Sequence, residues 1–376
     1  MRITFLSLAA CLLFLIPGPG HAQEVHQELQ ETVPAEVLKI LDERTEDIIG
    51  TDTEALVQEV RVRILGGARK GEEVEFETDL MRLAVGDSIY VNRLESIDGV
   101  EYYTFKDANR RFALVTLGLF FVAALLFFSG LHGLRALGSL ALSIVVLFFV
   151  LVPLLLSGYS PVLVSVLVAG PILGVTIFLT HGFHTRAKIA FLGTFGAVIA
   201  TGCVATLWVG LARLTGLSSD EAIYLNFSTH GSLDFGGILL GSIIIGILGI
   251  LDDVAITQAS VVGELRRANA TLTKRELYTR ALRVGRDHIG SLVNTLSFAY
   301  IGASLPLVLL LVKAESGLVL SLNQEMVAVE LIRIFVGSIG LILAVPLTTL
   351  IAVWWHERYA ESGEAENSYG HTHTHS

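Results

Sequence analysis

From residue 112 onward the chain is a series of long apolar runs divided by short polar stretches. The runs cover 112–128, 136–156, 161–180, 187–211, 235–251, 291–312 and 333–355. Each is near the roughly 20 residues that a helix needs to cross a bilayer. Unbroken apolar runs satisfy their backbone in hydrocarbon only as helices, which excludes a membrane β-barrel. The pattern before residue 111 is different. Val60, Val62 and Ile64 alternate with Arg61 and Arg63, and Val74 and Phe76 alternate with Glu73, Glu75 and Glu77. Ile89 and Val91 follow Gly86-Asp87, and Asp98-Gly99 precedes Tyr102, Tyr103 and Phe105. Period-two alternation bounded by turn residues predicts short strands. Residues 35–49, polar and entered through Pro34, predict a helix ending at Gly50. The expected fold is an all-α polytopic membrane bundle of about seven helices. It carries a small extracytoplasmic β-rich domain, OB-like or a sandwich.

Four segments follow. Residues 1–22 have a basic Arg2, a short apolar core and a Pro17-Gly-Pro-Gly break before Ala22, which predicts a secretory signal peptide or an uncleaved anchor. Residues 23–110 form the extracytoplasmic domain, 111–356 the transmembrane domain with a cytoplasmic segment at 252–290, and 357–376 a disordered tail ending His371, His373 and His375. Composition supports this division: 52% of the 376 residues are hydrophobic and 16% are charged. Residues 23–111 hold 11 basic against 21 acidic residues, the whole of the formal charge of −10. An acidic soluble domain on a neutral membrane body argues against nucleic acid as a partner. The expected partners are the lipid bilayer, a second copy of the chain, and a protein partner for the extracytoplasmic domain. Lys and Arg concentrate in the segments around 186–188 and 266–286, which predicts a cell inner-membrane protein with its N-terminal domain outside and its C-terminus in the cytoplasm.

Two adjacent carboxylates, Asp252 and Asp253, end the apolar run at 235–251. A carboxylate beside hydrocarbon is costly, and is a functional-site hypothesis by default. Asp253, Thr257, Ser260 and Glu264 fall at i, i+4, i+7 and i+11, one stripe of one helix. Asp253 is therefore expected on a polar seam that binds a proton or cation, with Asp252 turned to a basic residue or to headgroups. The alternative is an interfacial pair that only ends the span. Asn294 and Thr295, at the start of the next apolar run, are expected level with the seam. His181 and His184, three apart, would share a helix face and are weak candidates for a metal. No cofactor is expected. The chain has no phosphate-binding Walker loop, no His-Glu-x-x-His and no Gly-x-Ser-x-Gly, so it is not expected to be an enzyme. Thr273-x-x-Glu276 predicts a capped helix start, and Pro171 and Pro306 predict breaks in spans.

The run Gly249-Ile-Leu-Asp252-Asp253-Val-Ala-Ile-Thr-Gln-Ala-Ser260, with Gly285-Arg-Asp-His-Ile-Gly290 and Asn294-Thr295-Leu, resembles the YibE/F-like bacterial membrane proteins. That resemblance covers most of residues 55–355 and implies a bacterial multispanning membrane protein. A weaker likeness, to the membrane core of resistance-nodulation-division and SecD/SecF proteins, implies proton coupling through an intramembrane acid, carried over to Asp253. The function expected is proton- or cation-coupled transport or assistance to translocation. The alternative is a non-transporting, partner-binding assembly protein.

Overall fold

A computed structural model describes residues 30–47, 54–95, 101–314 and 317–361. The signal segment, the Asp98-Gly99 turn and the histidine tail lie outside the described residues. The chain divides into two compact units, Met1–Phe121 and Val122–Ser376.

The first unit is one antiparallel sheet of five strands: β1 (Gln30–Asp47), β2 (Glu54–Ile64), β3 (Glu73–Thr78), β4 (Ser88–Glu95) and β5 (Glu101–Ala108). Their order is β3-β2-β1-β4-β5, and edge strands β3 and β5 approach each other, so the sheet curls into a half-barrel rather than stacking as a sandwich. Residues 35–49, expected as a helix, belong to β1 up to Asp47. The reason is a period of two that begins before Pro34. Val33, Ala35 and Val37 are 4%, 0% and 1% exposed, and pairing on both edges outweighs the helical propensity of the residues that follow. β1 pairs with β4 over its first half and with β2 over its second, and register shifts at Val37/Lys39 and Ile40/Asp42 bend it between the two. Val60, Val62, Phe76, Ile89 and Val91 fill the interior. Gln58 is buried as well; its amide oxygen accepts from Leu83 N at 2.7 Å and its amide nitrogen donates to Leu83 O. On the surface, Glu101 bridges Arg69 (2.7 Å) and Arg93 (3.1 Å) and accepts from Tyr103 Oη at 2.9 Å. The Arg69 guanidinium holds the Glu101 carboxyl below its usual range, and burial pushes the Tyr103 phenol up to about 12.

The rest of the chain is helical: α1 (Arg111–Leu156), α2 (Pro161–His181), α3 (Thr185–Leu211), α4 (Asp220–Ser228), α5 (Phe235–Ala268), α6 (Lys274–Ala303), α7 (Leu305–Lys313), α8 (Leu318–Leu322) and α9 (Glu325–Glu361). Among the described residues, α1, α2, α3, α5 and α9 are long and apolar enough to cross a membrane. A bent pair, α6 and α7, which meet at 71°, is long and apolar enough only when the two are taken together. Pro306 begins α7; it lacks an N–H and clashes with the preceding turn, which explains the bend where the sequence places one. Pro171, in contrast, sits inside an unbroken α2. The expected count of about seven treats 112–128 and 136–156 as separate spans. Between them α1 has a non-helical break at Gly130 (φ 53°), and its second part carries a five-residue π-helical stretch at Leu147–Leu151.

Within the helical unit α5 is central and α1 peripheral: the apolar window of α5 is 61% buried and that of α1 17%. Ile244, Ile247, Leu251, Ala197, Leu341 and Val345 form the core that joins α5 to α3 and α9. The helices approach closely where one presents glycine to a hydroxyl of the other. A Cβ on Gly193 of α3 would stand 2.9 Å from Thr348 Cβ and 3.0 Å from Thr348 Cα on α9. Gly340 of α9 meets Thr201 of α3 in the same way, with a Cβ 3.1 Å from Thr201 Cγ2.

Overpacking at such a crossing costs about 1–3 kcal/mol. Gly193→Val is therefore expected to lower the thermal midpoint of the detergent-solubilised protein. Gly196→Ala, three residues on, meets nothing within 4 Å and should leave it unchanged. Equal midpoints for both variants would disprove the close α3–α9 crossing.

Candidate functional site

α5 starts cleanly. Asp234 caps it by accepting from Gly237 N at 2.9 Å, and the helix then continues beyond the apolar run to Ala268. The continuation carries the two carboxylates on different faces. Asp252 lies on the buried face with Leu248, Leu251, Ala255 and Ala259; it is 5% exposed, and its Oδ1 has no hydrogen-bond partner among the described residues. Asp253 is exposed, as are Thr257 and Glu264 on the same stripe. This corrects the expectation that Asp252 turns to a basic residue or to headgroups. The stripe at i, i+4, i+7 and i+11 exists, but it is the open side of α5, and the buried acid is its neighbour.

Asp253 does not face empty surroundings. With Thr257, Gln258, His288, Ser291 and Leu292 it lines a cleft of about 250 Å³ between α5 and α6. Val345 of α9 closes one wall. α6 reaches this position through the predicted capping box: Thr273 Oγ1 accepts from Glu276 N at 3.3 Å, while Glu276 Oε2 accepts from Thr273 N at 3.0 Å. Leu277, Ala281 and Gly285 then pack inward. At Gly285 three helices meet. A Cβ there would stand 2.7 Å from Gln258 Oε1 of α5 and would also strike Val345 Cγ1 of α9. Beside it, Gln258 Nε2 donates to Ala281 O of α6 at 2.9 Å and to Thr349 Oγ1 of α9 at 2.7 Å. One buried amide thus ties α5, α6 and α9 at the level of the acids.

The remaining candidates are more dispersed. Asn294 and Thr295 are exposed on α6, and Thr295 Oγ1 donates to Ser291 O of its own helix, so neither reaches the acids; Ser291 and His288 do line the cleft. Glu264 is bound on the surface by Arg186 at 3.0 Å and Arg267 at 2.6 Å. His181 ends α2, and Gly182 (φ 79°) turns the chain before His184 caps α3, so the two histidines do not share a helix face as expected. Among the described residues no group of three or more His, Cys, Asp or Glu could hold a metal ion. His181 is, however, within electrostatic range of both Asp253 and His132. Gln258 and Gly285 stand in the sequence only as members of the family motifs, without a role of their own, and Thr349 carries no local signal. A signal for Gln258 was present: it falls on the apolar face that Leu251, Ala255 and Val262 define, where a polar residue needs a partner.

Fold and site together fit a helical membrane protein with a carboxylate buried in its central helix. The chain belongs to the YibE/F-like family, whose model matches residues 117–358. That span contains the helices and both acids. No curated protein and no solved structure matches the chain.

Replacing Gln258 by Leu leaves Ala281 O and Thr349 without this donor at a buried junction. The expected loss is about 1–3 kcal/mol, seen as a lower thermal midpoint. An unchanged midpoint would show that the amide does not tie the three helices.

Proposed function

We propose that this protein moves a proton or small cation at Asp252 and Asp253 and couples that movement to transport, or to assisting the translocation, of a substrate. One observation carries the reading: a buried carboxylate whose Oδ1 has no hydrogen-bond partner among the described residues, next in sequence to a second carboxylate that lines a cleft. An isolated ionised carboxylate in such surroundings is costly, and a bound proton or cation relieves that cost. Asp253 is the port of entry from the cleft, with His288 as its ionisable neighbour on α6. Asp252 is the site behind it. In the orientation that the Lys and Arg distribution favours, the N-terminal domain is outside a bacterial inner membrane and the cleft opens toward the cytoplasm.

A second reading has its own support. The loop between β3 and β4 exposes Leu80 (72%) and Val85 (63%) on an otherwise acidic domain. That suits a membrane assembly protein whose β domain binds a partner and whose acids are structural.

The two are separated by flux measurements on the full chain in proteoliposomes with an entrapped pH dye. Asp252→Asn and Asp253→Asn are each expected to reduce proton or cation flux at least about tenfold, as loss of an intramembrane ion site should, with insertion and thermal midpoint preserved. If both variants conduct normally and only deletion of residues 23–110 impairs the cell, coupling is wrong and the assembly reading stands.

A further inference from the structure

The stripe of α5 that carries Asp253 continues in the other direction. Gly246 lies seven residues earlier, roughly 10 Å along the axis and within about 20° of the same face. Gly249 lies between them. Gly246, Gly249 and Asp253 are all exposed, and a Cβ on Gly249 would meet nothing within 4 Å. Between the two levels, α5 therefore presents bare backbone to open space.

At the far end stands a second polar group. A Cβ on Gly246 would be 2.8 Å from Tyr300 Oη of α6. On α9, Arg333 Nη1 donates to Glu330 Oε1 at 2.7 Å, with side chains only 27% and 21% exposed. The helix register brings these together. Leu296 of α6 packs against Gly337 of α9, where a Cβ would be 2.9 Å from Leu296 Cδ2. One turn back along α9 from Gly337 is Arg333, and one turn on along α6 from Leu296 is Tyr300. Tyr300 accordingly lies within electrostatic range of both Arg333 and Glu330. This charged pair stands at the end of the apolar run at 333–355 and is still only partly exposed, which puts a polar pair where water could enter between the helices.

We propose that the α5–α6 crevice is water-filled and that Tyr300, Glu330 and Arg333 form its outer ion-exchange station, joined to Asp253 along the Gly246–Gly249 face. The ion class is a proton or small monovalent cation, admitted by Glu330 and held in check by the Arg333 guanidinium. This assignment of an ion rests on the transport reading; the crevice itself does not.

Thiol accessibility tests it in the full chain with Cys11→Ser and Cys203→Ala. A cationic, membrane-impermeant thiosulfonate is applied to intact cells and, separately, to inverted vesicles. Gly249→Cys is expected to react at least about tenfold faster than Phe298→Cys, an outward-facing control on α6 that is 72% exposed. Adding Glu330→Gln leaves Arg333 uncompensated, which should slow the cationic reagent about fivefold while sparing a neutral one. If Gly249→Cys reacts no faster than Phe298→Cys from either side, the crevice is filled by lipid or protein and the proposal falls. If it reacts faster but Glu330→Gln slows both reagents equally or neither, the outer station falls. Rapid, Glu330-dependent labelling in a protein whose Asp252→Asn and Asp253→Asn variants conduct normally would uphold the crevice and overturn the transport reading alone.

Discussion

Gly285 is the point at which α5, α6 and α9 close on one another. With a hydrogen in place of a side chain, the three axes come near enough for Gln258 to bridge them, donating to Ala281 O and to Thr349 Oγ1. Helices in lipid gain no hydrophobic energy by associating, because hydrocarbon tails are as apolar as leucine. Close packing and interhelical hydrogen bonds must hold them instead. Gly193 against Thr348 and Gly340 against Thr201 repeat the device between α3 and α9. The central position of α5 follows from these contacts: small residues on its partners let it be surrounded, and a surrounded helix can hold a carboxylate away from lipid.

The same packing explains why two adjacent acids have different surroundings. Successive residues on a helix point about 100° apart. On a helix packed on one side and open on another, that angle suffices to bury Asp252 and leave Asp253 at the cleft. Neither environment is useful alone. An open acid would be hydrated and indifferent, and a buried one with no access would have no means of exchange. Their adjacency puts access and burial within one residue.

Much of the architecture is legible in the residues themselves. The apolar runs mark the membrane helices, Thr273-x-x-Glu276 marks the start of α6, and Pro306 marks the bend. The failures have physical causes. Residues 35–47 carry helical propensity but lie between β2 and β4, and pairing on both edges decides their conformation over that propensity. Gly130 breaks the helical path of α1 between 112–128 and 136–156, where the hydropathy pattern also divides it. The polar stripe from Asp253 to Glu264 is real, yet periodicity gives only a face. It does not say whether that face meets protein, lipid or water. The stripe is the open side of α5, and the buried face lies one residue away, at Asp252.

A tight, hydrogen-bonded junction at Gly285 fixes α6 against α5 and α9 at the level of the acids. Toward its other end α6 breaks at Ser304 and turns by 71° into α7. The part of α6 that carries Tyr300 therefore lies between a fixed point and a hinge. Small rotations about that hinge would move the phenol over Gly246, where no side chain on α5 resists it, while leaving Gln258 and its partners in place. In the transport reading proposed above, α6 would be held at Gly285, beside the level of Asp252 on α5, and free to turn near Tyr300, an arrangement that suits alternating exposure of an ion site.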